Sequence, residues 1–312
     1  MGRRRKNKNL RSINGILLLD KPLGASSNRV LQDVKHLYKA QKAGHTGSLD
    51  PLATGLLPIC FGEATKVSGF LLEANKSYQF TCRLGETTTT GDSEGDILET
   101  RPVNVSERQI NKVLKTFVGQ IQQIPPMYSA LHHEGKRLYE LARQGIEVER
   151  KARAITIFSL VMLGRDEDDV FLDVKCSKGT YVRSLAEDIG RELGCGAHVA
   201  SLHRSMIEPY LQPDMVSMES LLALQDLDET QRYTELDDLL LPTESALIQW
   251  PDVNLDEDSS FYMRQGQAVQ VSGSPADGFV RLFDEKRRFI GMGEIADDGR
   301  VAPKRLMSTA EV

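Results

Sequence analysis

The sequence predicts an α+β protein: a mixed, largely antiparallel central sheet with flanking helices, followed by a small C-terminal β-rich domain. Three observations carry this reading. Strand-like and helix-like segments do not alternate regularly, which argues against a doubly wound parallel sheet. Residues 78–84 alternate apolar and polar side chains, the period of a strand with one face buried. After Trp250 and Pro251 the helical periodicity gives way to short apolar runs separated by turn-rich segments.

Taken in order, a basic tail (Arg3, Arg4, Arg5, Lys6, Lys8, Arg11) runs to about Ser12 and is expected to be disordered, suited to trailing along phosphates or inert. Residues 16–19 read as a buried strand, ended by the turn Lys21-Pro22-Leu23-Gly24. Ser26 or Ser27 caps a helix with Val30, Leu31, Val34, Leu37 and Tyr38 on one face. A glycine-rich loop over 44–55 leads into a second apolar strand at about 56–61. Tyr78, Phe80, Cys82 and Leu84 mark a half-buried strand, and 87–96 a polar loop. Ser106-Glu107-Arg108-Gln109 is a capping box ahead of Ile110, Val113, Leu114, Phe117 and Val118, so a helix starts there. Residues 154–163 and 170–175 pair as a hairpin around a charged turn at 164–169. With Thr180 as N-cap, a helix runs from about 181 to 193 and stops at Gly194. Short strands at 279–283, 289–292 and 301–306 build the C-terminal domain.

At 312 residues the chain is long enough for one large domain and a small one. Its 40% hydrophobic and 27% charged content are ordinary for a soluble globular protein. The longest apolar runs are too short to span a bilayer, and no small-residue cleavage site follows the basic opening, so a cytoplasmic protein without a membrane partner is expected. Cys60, Cys82, Cys176 and Cys195 are scattered, with no C-x-x-C pair and no histidine at metal spacing. They read as small hydrophobes in a reducing compartment, and no metal site is expected. The net charge of −5 argues at first against a nucleic-acid partner. Its distribution is uneven, however. Residues 208–258 hold fourteen acidic residues and one basic residue, Arg232, a balance of −13 that leaves +8 on the rest of the chain. Phosphate binding responds to that local field, and the acidic stretch reads as solvated helix faces and loops.

The most unusual segment is GHTGSLDPLATG, residues 44–55. Three glycines permit backbone conformations closed to other residues, and a stiff proline directly follows Asp50. Such a loop presents a carboxylate and an imidazole into a cleft, although Asp-Pro is also a common turn. No G-x-G-x-x-G, Walker-type or G-x-S-x-G pattern competes with it. Ser177-Lys178-Gly179-Thr180-Tyr181 superficially suggests phosphate binding, but a strand-to-helix turn explains it more simply.

Residues 44–55 resemble the motif G-H-x-G-x-L-D-P of the TruB family of tRNA pseudouridine synthases. Lys21-Pro22-Leu23-Gly24-Ala25-Ser26-Ser27 is similar to that family's K-P-x-G-x-S-S motif, and Lys76-Ser77-Tyr78 to its K-x-Y strand. CSKGTYVRSLAEDI (176–189) resembles the segment that supplies the family's arginine. PPMYSALHHEGKRLYELAR, beginning at Pro125, is similar to its RNA-clamping insertion. The resemblance runs from about Ile13 to the C-terminus.

It implies a pseudouridine synthase fold over 13–250 with the insertion near 125–153, and a PUA-like RNA-binding domain over 251–312. The implied reaction isomerises uridine 55 in the tRNA T-loop by base flipping, glycosidic bond cleavage and reattachment through C5, with no cofactor. By the same resemblance Asp50 is the single catalytic carboxylate and Arg183 pairs with it. Tyr78 stacks on the target base, Tyr181 and Leu202 line the base pocket, and His45 supports the extruded state. Lys21 supports the catalytic loop. Read alone, Tyr78 is a core-facing strand aromatic and Arg183 a surface arginine that a helix N-terminus disfavours. The insertion interleaves Lys136 and Arg137 with Tyr128 and Tyr139, suited to phosphate and stacking contacts, or to a solvated loop. Thr89 stands where an acidic residue is often expected, which bears on hydrogen bonding of that loop. The implied partner is tRNA, gripped at T-loop and acceptor arm by a monomer. A guide RNA is not expected, because the insertion supplies a grip of its own. A tRNA-folding chaperone activity is the main alternative or companion role.

Overall fold

Burial of both faces of one strand explains why residues 16–19 are apolar without a break. In the computed structural model, which describes residues 10–308, this strand (Gly15–Lys21) lies inside a ten-stranded sheet covered on both sides. Leu17 and Leu19 pack beneath the helix Ser27–Leu37, while Ile16 and Leu18 face Leu71, Leu247 and Met292. All four are at most 2% exposed, and burying each contributes roughly 1.5–3 kcal/mol.

The sheet runs in the order Val216–Ser217, Gly15–Lys21, Ala53–Phe61, Ala197–Ile207, Lys76–Leu84, Asp169–Cys176, Arg153–Asp166, Gly119–Gln123. Two of these pairings, the first and the third, are parallel; the rest are antiparallel. This is the mixed, largely antiparallel sheet that the irregular element order predicts. The helices Glu107–Thr116 and Val182–Leu193 cover one face through Ile110, Leu114, Leu185 and Ile189. Ser106 and Gln109 form the expected capping box, Ser26 caps the first helix, and Gly194 ends the Val182 helix in the left-handed conformation.

Several expectations need correction. Residues 1–9 of the basic tail lie outside the described residues, but Arg11 is fastened. It bridges Ala40, pairs with the Asp237 carboxylate and lies 4.2 Å from the Tyr233 ring. The acidic stretch is therefore not only solvated: its helix Glu229–Asp238 buries Leu236 against the first helix, and Glu229 pairs with Lys39 at 2.7 Å. The central hairpin extends further than expected, from Arg153–Asp166 to Asp169–Cys176. Glu167 takes the positive φ that a two-residue turn needs. Part of the 44–55 loop is strand, because Ala43–His45 pairs with Phe61, Cys60 and Ile59 of the strand Ala53–Phe61. Within the predicted 87–96 loop, the strand Glu86–Thr88 pairs with Ile97–Thr100. Thr180 is not the N-cap. That position is Tyr181, and the Thr180 hydroxyl donates to the Ser177 carbonyl at 2.9 Å. The strands Gly119–Gln123 and Ala197–Ile207 were not expected, the second being central in the sheet.

A separate four-stranded sheet, Asp252–Asn254, Phe279–Phe283, Phe289–Ile295 and Val301–Leu306, follows. Met263 of the helix Glu257–Arg264 packs on its Val280 and Leu282. Trp250 joins this sheet to the larger one, stacking on Phe279 at 5.0 Å with Phe70 edge-on at 4.6 Å. Among the described residues no helix is long and apolar enough to cross a membrane.

Candidate active site

Two sequence motifs meet first. The turn carrying Asp50 is held from below by residues of the 21–27 segment. Lys21 is wholly buried, and its Nζ donates to the carbonyls of Pro22 (2.9 Å), Pro51 (3.4 Å) and Ala53 (2.6 Å). The Ser27 hydroxyl donates to the Leu49 carbonyl at 3.0 Å and accepts from the Leu49 N–H at 2.8 Å. Gly24 N–H donates to the Pro51 carbonyl at 2.8 Å. Burial lowers the Lys21 ammonium to about 8, with the Asp50 charge opposing. Lys21 therefore braces the turn and lines neither cavity of the site.

The strand Ala53–Phe61 leaves the turn beside the strand Ala197–Ile207, with Gly55 opposite Arg204. At Gly55, with φ +96°, a Cβ would lie 2.4 Å from the Arg204 carbonyl oxygen, so only glycine lets the strands close here. Asp50 then stands at the mouth of the sheet, its side chain 42% exposed.

Arg183, on the first turn of its helix, is 5% exposed. A cation there opposes the helix dipole, a cost of about 0.3–1 kcal/mol. Four acceptors outweigh it. Nη2 lies 3.0 Å from Asp50 Oδ2 and donates to the Tyr128 carbonyl at 2.7 Å. Nη1 donates to the Thr90 carbonyl at 3.1 Å and lies 3.5 Å from Asp92 Oδ2. Asp92 is itself buried, and its Oδ1 accepts from the Thr90 hydroxyl at 2.5 Å and from Glu94 N–H at 3.1 Å. Burial raises the Asp50 pKa above the ordinary carboxylate value; Arg183 pulls it back down, Asp92 pushes it up and Lys21 lowers it.

Two adjoining cavities share Asp50 and Arg183. The smaller, about 300 Å³, is walled by Tyr78, Tyr181, Leu202, Lys76 and Arg204. Tyr78 and Leu202 are buried, and Tyr181 is fixed through its backbone: the Gln123 amide donates to its carbonyl at 3.0 Å and accepts from its N–H at 2.8 Å. The larger, about 770 Å³, is lined by His45 and by Tyr128, Arg137, Tyr139 and Arg143 of the insertion. Burial, and secondarily the Arg204 charge, hold the His45 imidazole below its ordinary pKa, and its Nδ1 is buried without a partner. Within the insertion the short hairpin His132–His133 with Lys136–Arg137 leads into a helix, Leu138–Ala142, anchored by buried Leu138 and Leu141. Thr89 closes its loop, its hydroxyl accepting from Asp96 N–H at 3.1 Å.

Asp50, Arg183, Tyr78, Tyr181 and Leu202 thus converge on one pocket, while His45 faces the adjoining groove and Lys21 lies beneath. The sequence reading missed Asp92, Gln123 and Arg204. Arg204 had a legible signal, since it stands two residues after Leu202 and a strand puts both on one face. Asp92, in a polar loop, carries no periodic signal at all.

Comparison with known proteins agrees with this architecture. The TruB family pseudouridylate synthase N-terminal domain matches residues 35–182, and the tRNA pseudouridylate synthase B C-terminal domain matches residues 183–248. The C-terminal domain of pseudouridine synthase II TruB matches residues 251–307. The chain is 55% identical over 296 residues to the tRNA pseudouridine synthase B of Nitrosococcus oceani, covering 95% of each chain. To that of Yersinia pestis it is 53% identical over 311 residues, covering 98% of this chain and 95% of the relative. A chain in the crystal structure of a Cbf5–Nop10–Gar1 complex superposes with a TM-score of 0.71 at 26% identity, over 94% of this chain and 84% of that one. With family models matching nearly the whole chain and near full-length identity above one half to bacterial relatives, this chain belongs to the TruB family of pseudouridine synthases.

Proposed function

We propose that this enzyme isomerises uridine 55 in the T-loop of tRNA to pseudouridine, with Asp50 as the reactive carboxylate. The observation that carries the reading is the Asp50–Arg183 pair, 3.0 Å apart at the mouth of a pocket walled by two tyrosines and a leucine. The names of the bacterial relatives, tRNA pseudouridine synthase B, support tRNA as the substrate class.

A uridine inside a folded loop must leave its stack, at a cost of a few kcal/mol. Tyr78 stacks on the uracil, Tyr181 and Leu202 complete the pocket, and His45 occupies the groove from which the nucleotide is drawn. The C1′–N1 bond then breaks, the uracil turns, and C5 bonds to C1′ and gives up its proton while N1 gains one; atoms balance without any co-reactant. An ionised carboxylate serves this sequence by adding to the sugar carbon or the base, or by taking a sugar proton to leave a glycal. Arg183 keeps Asp50 ionised against the burial that favours its neutral form.

The basic and aromatic rim of the insertion, residues 125–153, grips the T-loop. The β-rich segment 251–312 acts as a PUA-like domain on the acceptor arm, after a catalytic domain over 13–250. In this reading a cytoplasmic monomer acts with neither guide RNA nor cofactor, and grip without chemistry gives it a second role in tRNA folding.

The test incubates an unmodified tRNA transcript with wild type and with Asp50→Asn, then maps pseudouridine by carbodiimide adducts and primer extension. A stop at the T-loop uridine with wild type alone is expected. No stop with wild type, despite tRNA binding, would sink the reading. Refolding of misfolded tRNA by Asp50→Asn measures the second role separately.

A further inference from the structure

Among the described residues Arg204 is the largest fully buried side chain, 1% exposed, and makes no ion pair. Burying a guanidinium without a carboxylate is costly, so its neighbours must compensate by hydrogen bonding. They are unusual neighbours. Nε donates to the Leu56 carbonyl at 2.7 Å and Nη2 to the Gly47 carbonyl at 3.0 Å. Gly47 precedes Asp50 by three residues and Leu56 follows it by six, so one rigid fork ties both shoulders of the turn that carries the carboxylate.

The same residue is the register partner of Gly55 on one side and of Tyr78 on the other. The buried Arg204 and Tyr78 side chains both line the smaller pocket. Arg204 therefore bonds to the Asp50 turn and adjoins Tyr78 across the strand pair.

We propose that Arg204 is a positioning residue for the isomerisation, setting the distance between the Asp50 turn and Tyr78 by bonding to the first and pairing in strand register with the second. The inference rests on the proposed reaction at this site. Lys21 holds the turn from beneath through Pro51 and Ala53, so Arg204 controls its sideways placement against the base rather than its existence. The Arg204 charge also reaches His45, whose imidazole it helps hold neutral.

The test compares wild type, Arg204→Met and Arg204→Lys on a tRNA transcript, measuring single-turnover rate, tRNA affinity and the His45 titration by NMR. A misplacement of about 1 Å costs on the order of 10²-fold in rate, which is the loss expected for Arg204→Met. The tRNA Kd should stay within about threefold of wild type, because no phosphate contact is removed. Lysine restores the charge but its ammonium is a point donor that does not span two carbonyls, so Arg204→Lys should keep the His45 titration and still lose at least about tenfold in rate. Should Arg204→Met fail to fold, Arg204→Lys alone decides. A folded variant with wild-type rate overturns the proposal, as does a rate loss matched by an equal loss of tRNA affinity. A wild type that forms no pseudouridine overturns the parent reading and this one with it, whereas an active wild type beside an active Arg204→Met overturns this one alone.

Discussion

Replacing Arg183 by methionine takes a cation from between two carboxylates of very different exposure. The Asp92 side chain is 3% exposed and that of Asp50 is 42% exposed. Removing the partner of a buried charge costs roughly 3–5 kcal/mol, while a pairing with a half-exposed one such as Asp50, which water still reaches on one side, is worth about 1 kcal/mol. The stability loss of Arg183→Met should therefore be about 3–5 kcal/mol and should come almost wholly from Asp92. Its Oδ1 keeps the Thr90 and Glu94 donors, so the stranded charge sits on Oδ2. Urea unfolding followed by circular dichroism measures this. In the Arg183→Met background, Asp92→Asn should recover most of the loss and Asp50→Asn little of it. Equal recovery by the two, or wild-type stability of Arg183→Met, would refute the division of labour in which Asp92 holds the arginine and the arginine holds Asp50.

Two further outcomes follow from the same geometry. Asp50 has its pKa raised by burial with Arg183 opposing, so its active ionised form is lost as pH falls through a value above the ordinary carboxylate range. The acid limb of the single-turnover rate should lie above that range and move to still higher pH in Arg183→Met; an unmoved limb would contradict the pairing. Gly55→Ala forces a Cβ to 2.4 Å from the Arg204 carbonyl at φ +96°, a combination of overpacking and strain worth roughly 2–5 kcal/mol. Denaturant unfolding of Gly55→Ala at wild-type midpoint would show that the two strands do not meet as tightly as described.

Much of the local structure was legible because it depends on neighbours in the chain. The capping box at Ser106, the cap at Ser26 and the left-handed Gly194 are contacts within three or four residues, and each formed where its residue types point. Thr180 failed as a cap because its hydroxyl found the nearer Ser177 carbonyl. The strand Ala197–Ile207 escaped notice although it is central, since buried His198 and Arg204 interrupt its apolar pattern. The resemblance to a known family picked out Asp50, Arg183, Tyr78, Tyr181 and Leu202, and their convergence on one pocket is a property of the folded chain.

The sequence by itself determined the α+β class, the helix termini, the alternating Tyr78 strand and the motif that carries Asp50, because period, capping and turn chemistry act over a few residues. Only the tertiary structure decided how the carboxylate is surrounded. Asp50, Asp92 and Arg183 come from three distant stretches, as do Gly47, Tyr78 and Arg204, and no local pattern records which will meet. Those meetings are fixed by sheet order and register, and they set the burial and charge that decide whether a carboxylate is an ordinary turn residue or a reactive one.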